Sequence, residues 1–248
     1  MRARPSADTV ERSEFVRAML ALSVASPSPF GASIMGTTIA GVTIPDSKLA
    51  SEATAIARSA EPVEIFNHSL RTFVFAELIA RAKKVPHDAE IVYVASILHD
   101  TGLSAQHMSA DYPFEVDGAN VTRELLKAQG ACGLRCDLAW DAVALHDNGG
   151  IARHKQPEVM LVNAGVAADF GASLDLLARA DVIAVLEAAP RTNFIGVFLD
   201  AAATVAARKP LASAHSFVAD VGYCKVPGFH LPSFCDEVTT DPFGSYHS

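Results

Sequence analysis

The sequence predicts an all-α protein, a single helical domain with irregular extensions at both ends. Three observations carry that prediction. Apolar residues recur at helical spacing along most of the chain, punctuated by capping residues and by Gly or Pro stops. No segment alternates with period two around a hairpin turn. No repeat, linker or compositional shift divides the body of the chain. With 248 residues, 50% hydrophobic and 19% charged, there is ample apolar material for a sizeable core.

Residues 1–43 are rich in Ser, Pro, Gly and Thr and read as an irregular N-terminal extension wrapped on the domain. The apolar stretch from Ala18 to Ala25 follows Asp8, Glu11 and Glu14 rather than a basic flank. It therefore reads as a short amphipathic helix or frayed tail of a cytoplasmic protein, not as a signal peptide. The domain proper is expected over residues 44–218. Its first helix covers Lys48 to Ala60, with Asp46 or Ser47 as N-cap. A second runs from Pro62 to about Lys84, with His68, Thr72, Phe75 and Ile79 on one inward face. The stretch from Pro86 to Asp100 is too long for a strand, and its acidic first turn suits a buried helix. A loop follows to Phe114. Further helices are expected over Glu115–Gln129, Cys136–His146, Pro157–Asp169, Leu174–Ala189 with a break near Asp181, and Phe194–Lys209. Residues 219–248, rich in Gly, Pro and aromatics, read as an irregular tail packed on the domain. Cys132, Cys136, Cys224 and Cys235 include a C-x₃-C, which is neither a zinc-knuckle nor a thioredoxin spacing, and read as small buried thiols.

The formal net charge of −8 and the lack of a Lys/Arg run argue against a nucleic-acid surface. No apolar run reaches the length that spans a bilayer, so no membrane partner is expected. A homo-oligomer is compatible with the apolar composition.

The chain is arranged around His99-Asp100, which ends a long apolar run and is followed by Gly102. Imidazole nitrogen and carboxylate oxygen are preferred donors for a divalent metal. Mid-helix, adjacent side chains diverge by about 100°. At the last turn, where the backbone can bend, the pair can bracket one ion. Alone, the dipeptide reads equally as a helix cap followed by a turn. Three further polar residues on apolar faces change the balance: His68, His146 and Asp169. An aspartate among Val166, Ala167, Ala168 and Phe170 would cost several kcal/mol without a partner. A dication answers that cost, and His68, His99, Asp100 and Asp169 together offer two nitrogens and two carboxylates.

In that order the chain resembles the HD-domain metalloenzyme superfamily, and within it the cyanamide hydratase branch. The stretches that carry the resemblance are Asn67-His68-Ser69-Leu70-Arg71, Leu98-His99-Asp100-Thr101-Gly102, Phe114-Glu115 with Gly118, and Ala144-Leu145-His146-Asp147. Ala168-Asp169, Asp175-Leu176, the stretch from Asp181 to Pro190-Arg191, and Arg208-Lys209-Pro210 before His215 add to them. The resemblance implies a single HD-type helical domain and one divalent metal ion, zinc in first place with iron or manganese as alternatives. It implies ligation by His68, His99, Asp100 and Asp169, with Asp181 as the other candidate for the last position. It implies a small-molecule substrate and a substrate-side role for His146.

The implied chemistry is hydration or hydrolysis of a small nitrile-like molecule, foremost cyanamide to urea through metal-bound hydroxide. His146, with Asp100, would move the proton, and Glu115 would orient the substrate's amino group or a histidine, or pair with Arg71 or Arg123. Asn67, Arg71, Phe114 and His215 fall on the substrate side, His215 closing the pocket. Two other functions stay open: an HD-type phosphohydrolase on a nucleotide or phosphate ester, and a non-catalytic HD-like helical binding module. Leu103 stands where many phosphate-handling members carry a lysine, so that reading lacks one expected cation. The 111–115 block and Asn148-Gly149-Gly150 also depart from the hydratase pattern.

Overall fold

A computed structural model describes residues 33–130 and 133–239. Among these the molecule is a helical array, as expected, with one small exception. Thr38–Ile39 (β1) and Val42–Thr43 (β2) pair antiparallel where irregular chain was expected. Ala40 and Gly41 both have positive φ, which is the backbone that a two-residue hairpin requires and that a strand-pattern search over so few residues cannot reveal. The stretch Ala18–Ala25 and Cys132 lie outside the described residues.

Helix α1 spans Lys48–Ala60, and Ser47 is the N-cap that receives the Ala50 amide. Helix α2, Val63–Lys83, is buried along most of its length and ends on Lys84 in a left-handed conformation. Helix α3 runs Ala89–Leu98, starting later than Pro86 because Asp88 caps the Glu90 and Ile91 amides. Its residues Ile91 to Leu98 are all buried, as the expected buried helix requires. Then come α4 (Phe114–Ala128), α5 (Leu134–Ala144), α6 (Gly149–Ala152), α7 (Pro157–Asp169), α8 (Arg179–Ala188) and α9 (Phe194–Arg208). The helix expected from Leu174 is a 3₁₀ turn, Leu174–Leu176, separated from α8.

The C-terminal stretch is more regular than its composition suggests. Phe217–Lys225 (α10) is a helix capped by Ser216, with Val218, Val221 and Gly222 buried, and Phe234–Thr239 (α11) is another. A good cap and a seat on α9 outweigh weak periodicity here. Cys136 is buried as expected, but Cys224 and Cys235 are exposed.

Central α3 packs against α1, α2, α4, α5 and α7, while α2 lies along α7. Gly165 permits that last approach, since a Cβ there would collide with the Thr72 carbonyl. Gly118 does the same between α4 and the end of α3, where a Cβ would lie 2.9 Å from the His99 carbonyl. A second apolar cluster joins Leu103 and Phe114 to Phe194, Phe198, Val205, Val218 and Val221. No helix among the described residues is long and apolar enough to cross a membrane.

Candidate metal centre

The site lies where the two apolar clusters meet. Helix α3 ends at Leu98, His99 keeps helical dihedrals (φ −61°, ψ −33°), and Asp100 leaves them (φ −97°, ψ 0°) to open the 3₁₀ turn Thr101–Leu103. That bend lets neighbouring side chains serve one point. His99 Nε2 lies 3.2 Å from Asp100 Oδ2 and 3.2 Å from His68 Nε2, which comes from the second turn of α2. His68 Nε2 is 3.7 Å from the same carboxylate oxygen. His146, in the turn after α5, points its Nε2 at Asp100 Oδ1 from 3.8 Å, with its ring 4.7 Å from that of His99. All four residues are buried.

The far nitrogen of every imidazole is tied down. His99 Nδ1 lies 2.7 Å from the Ser96 carbonyl and His146 Nδ1 lies 2.7 Å from that of Val143. A carbonyl can only accept, so each Nδ1 carries a hydrogen, and in the neutral ring each Nε2 presents a lone pair. His68 Nδ1 donates in the same way to Asp169 Oδ2 at 2.6 Å. Three lone pairs therefore converge on a carboxylate neither of whose oxygens has a hydrogen-bond partner. With all three rings neutral and no cation present, this arrangement is repulsive and poorly solvated. Burial lowers the His68 and His146 pKa values, His99 adding to the effect at His146, so both rings are neutral near pH 7, as metal ligands must be. Burial also opposes charge on His99, but the Asp100 carboxylate outweighs it and raises that pKa. Burial opposes charge on Asp100 too, but His99 foremost holds its pKa well below the carboxylate range. His68, His99 and Asp100 form a buried group able to hold a divalent metal ion.

Asp169, at the end of α7, is set behind His68 rather than in that group. Its Oδ1 receives Arg71 Nε at 2.7 Å and faces Arg191 Nη1 at 2.6 Å, while Oδ2 receives Arg71 Nη2 at 2.8 Å besides His68. Burial works to raise the Asp169 pKa, but these donors keep it well below the usual range. Arg71 is fully occupied: it also donates to the Ala189 and Pro190 carbonyls, and its guanidinium lies 5.1 Å from the Phe194 ring centroid. Asn67 donates to the Pro190 carbonyl as well. Asp181 sits in the first turn of α8, outside the group.

Phe114 packs edge-on against His146, at 5.5 Å between centroids, and His215 is exposed. Glu115 is buried with Oε2 unpartnered, and burial followed by the charge of Asp147 pushes its pKa up to about 8. The group opens into a cavity of about 390 Å³. Asp147 and Asn163 supply its polar wall, and Asn163 Nδ2 also donates to the His146 carbonyl at 2.7 Å. Phe170, Phe198 and Phe217 supply much of the rest. Asn163 and these aromatics carry no spacing signal, because they come from three helices that only the fold assembles.

Residues 65–184 match the family model described as HD domain, and they span the site from His68 to Asp169. Together with the fold, the buried histidine–aspartate group makes this chain an HD-domain protein, of a family whose members bind divalent metals. Two curated relatives, the cyanamide hydratases DDI2 and DDI3 of Saccharomyces cerevisiae, are each 29% identical over 171 residues, covering 67% of this chain and 76% of theirs. The chain is thus similar to cyanamide hydratases over two thirds of its length and is an enzyme of the HD hydrolase or hydratase kind.

Proposed function

We propose that the protein is a metal-dependent hydratase that adds water across the C≡N bond of a small molecule, with cyanamide to urea as the reference reaction. The observation that carries this reading is the convergence of three Nε2 lone pairs on the unpartnered Asp100 carboxylate at the foot of a cavity. His68, His99 and Asp100 would hold the ion, and Asp169 would orient His68 through Nδ1 rather than ligate. A divalent ion held there supplies Lewis acidity and lowers the pKa of water. His146 Nε2, unprotonated and facing the same point, accepts a proton from the attacking water and returns it to the nitrile nitrogen. The oxygen joins carbon and both hydrogens end on nitrogen. Phe114 steadies the His146 ring, and aromatic side chains make the cavity walls apolar.

The names of the two curated relatives support this chemistry. The phosphohydrolase reading lacks a counter-charge, because no lysine or arginine lines the cavity among the described residues and Arg71 is spent on Asp169. Metal analysis of the purified protein, followed by incubation of the same sample with cyanamide and with a generic phosphodiester, tests the proposal. Urea release that disappears on chelation is expected. Phosphodiester cleavage without urea would sink it.

A further inference from the structure

The cavity is far larger than the reference substrate needs. Cyanamide has three heavy atoms, whereas about 390 Å³ is room for roughly a dozen water-sized bodies at ~30 Å³ each. Its walls are also of the wrong character for so polar a molecule. Val166, Phe170, Ile195, Phe198, Leu199 and Phe217 face the space, with polar groups confined to the histidine–aspartate foot, Asp147 and Asn163. Ligand cavities of this size and lining hold an apolar body and fix a small polar head. Resting on the hydratase reading, we infer that the substrate is neutral and carries a C≡N head on a hydrocarbon body of about phenyl size. An N-aryl or N-alkyl cyanamide is the class that fits.

Three features support this class over a larger polar or anionic one. No cation lines the space among the described residues, so an anionic body would be unpaired. Phe198 stacks on Phe217 at 5.3 Å, and Phe170 lies 5.6 Å from Phe198, so one wall is a connected aromatic surface suited to a ring. Phe170 and Ile195 are about half exposed, at 49% and 48%, which makes an apolar rim through which such a body can enter. The reaction stays balanced: water adds across C≡N of the substituted cyanamide, its oxygen to carbon and its two hydrogens to the terminal nitrogen, giving the substituted urea with no other co-reactant.

The test compares phenylcyanamide with cyanamide for turnover, and phenylurea with urea for binding by calorimetry, on the metal-loaded protein. At least a tenfold higher kcat/KM for phenylcyanamide and at least tenfold tighter binding of phenylurea are expected. Leu199→Trp fills the cavity and should cut both preferences at least tenfold; Ile195→Trp, at the exposed rim, should lower them even if the first variant folds poorly. Turnover of cyanamide with no preference for the phenyl compounds overturns the apolar-body inference and leaves the hydratase reading standing. Tight phenylurea binding that the tryptophan variants abolish, with neither cyanamide hydrated, sinks the hydratase reading and retains the apolar-bodied ligand class.

Discussion

At the residue scale, the decisive distinction is between groups that face the ion position and groups that stand behind them. Asp100 has both oxygens unpartnered, whereas Asp169 has both engaged by Arg71, Arg191 and His68. Asp100→Asn should therefore empty the site. Asp169→Asn should weaken metal binding by roughly 10–100-fold, the range for residues that orient a ligand. Competition with a coloured chelator measures both, and Asp181→Asn should match the wild type. Full affinity in the Asp169 variant with loss in the Asp181 variant would show the roles reversed. Glu115 gives a second expectation. Its folded pKa, up at about 8, exceeds its ordinary value of 4.5, so between those pH values the folded state keeps a proton that the unfolded state has released. Stability from this group therefore falls as pH rises through 8. Urea midpoints at pH 6 and pH 9 should drop more for the wild type than for Glu115→Gln.

At the element scale, the site depends on short connections held by buried charge. Lys209, just past α9, reaches Asp117 in the first turn of α4 at 2.6 Å and the Tyr112 carbonyl at 2.6 Å, and both charged side chains are buried. The pair pins the loop before α4 to the second apolar cluster. Lys209→Met strands the Asp117 carboxylate and should cost about 3–5 kcal/mol in urea unfolding. Lys209→Met with Asp117→Leu should recover much of that loss, since a buried pair replaced as a whole by apolar groups is often neutral. The longer helices up to α9 were legible because caps, Gly and Pro stops and apolar periodicity agree, whereas the short α6 was not and α8 starts later than expected. The hairpin at 38–43 and helix α10 were not, because one rests on two positive-φ residues and the other on its seat against α9.

At the scale of the whole molecule, α2, α3 and the turn after α5 each bring part of a repulsive cluster to the meeting of the two apolar cores. An ion bound there couples those elements and stabilises the fold by mass action, by about 4 kcal/mol when free metal is 1,000 times its Kd. Chelation should lower the thermal midpoint by several degrees, and re-addition of a divalent metal should restore it. A midpoint indifferent to both would mean that the histidine–aspartate cluster does not bind metal in the folded state.

By itself the sequence determined the all-α class, the boundaries of most of the longer helices within a few residues and the chemical identity of His68, His99, Asp100 and His146 as candidates, because caps, periodicity and the cost of burying polar groups are local or additive. Only the tertiary structure decided which atoms converge. The backbone bend at Asp100, the carbonyls that hold Nδ1 of His99 and His146, and the arginines that consume Asp169 all depend on where helices cross. The roomy aromatic cavity is of the same kind, since α7, α9 and α10 supply walls that no spacing along the chain connects. A ligand set is a matter of directions in space, and sequence order constrains those directions only through the packing it produces.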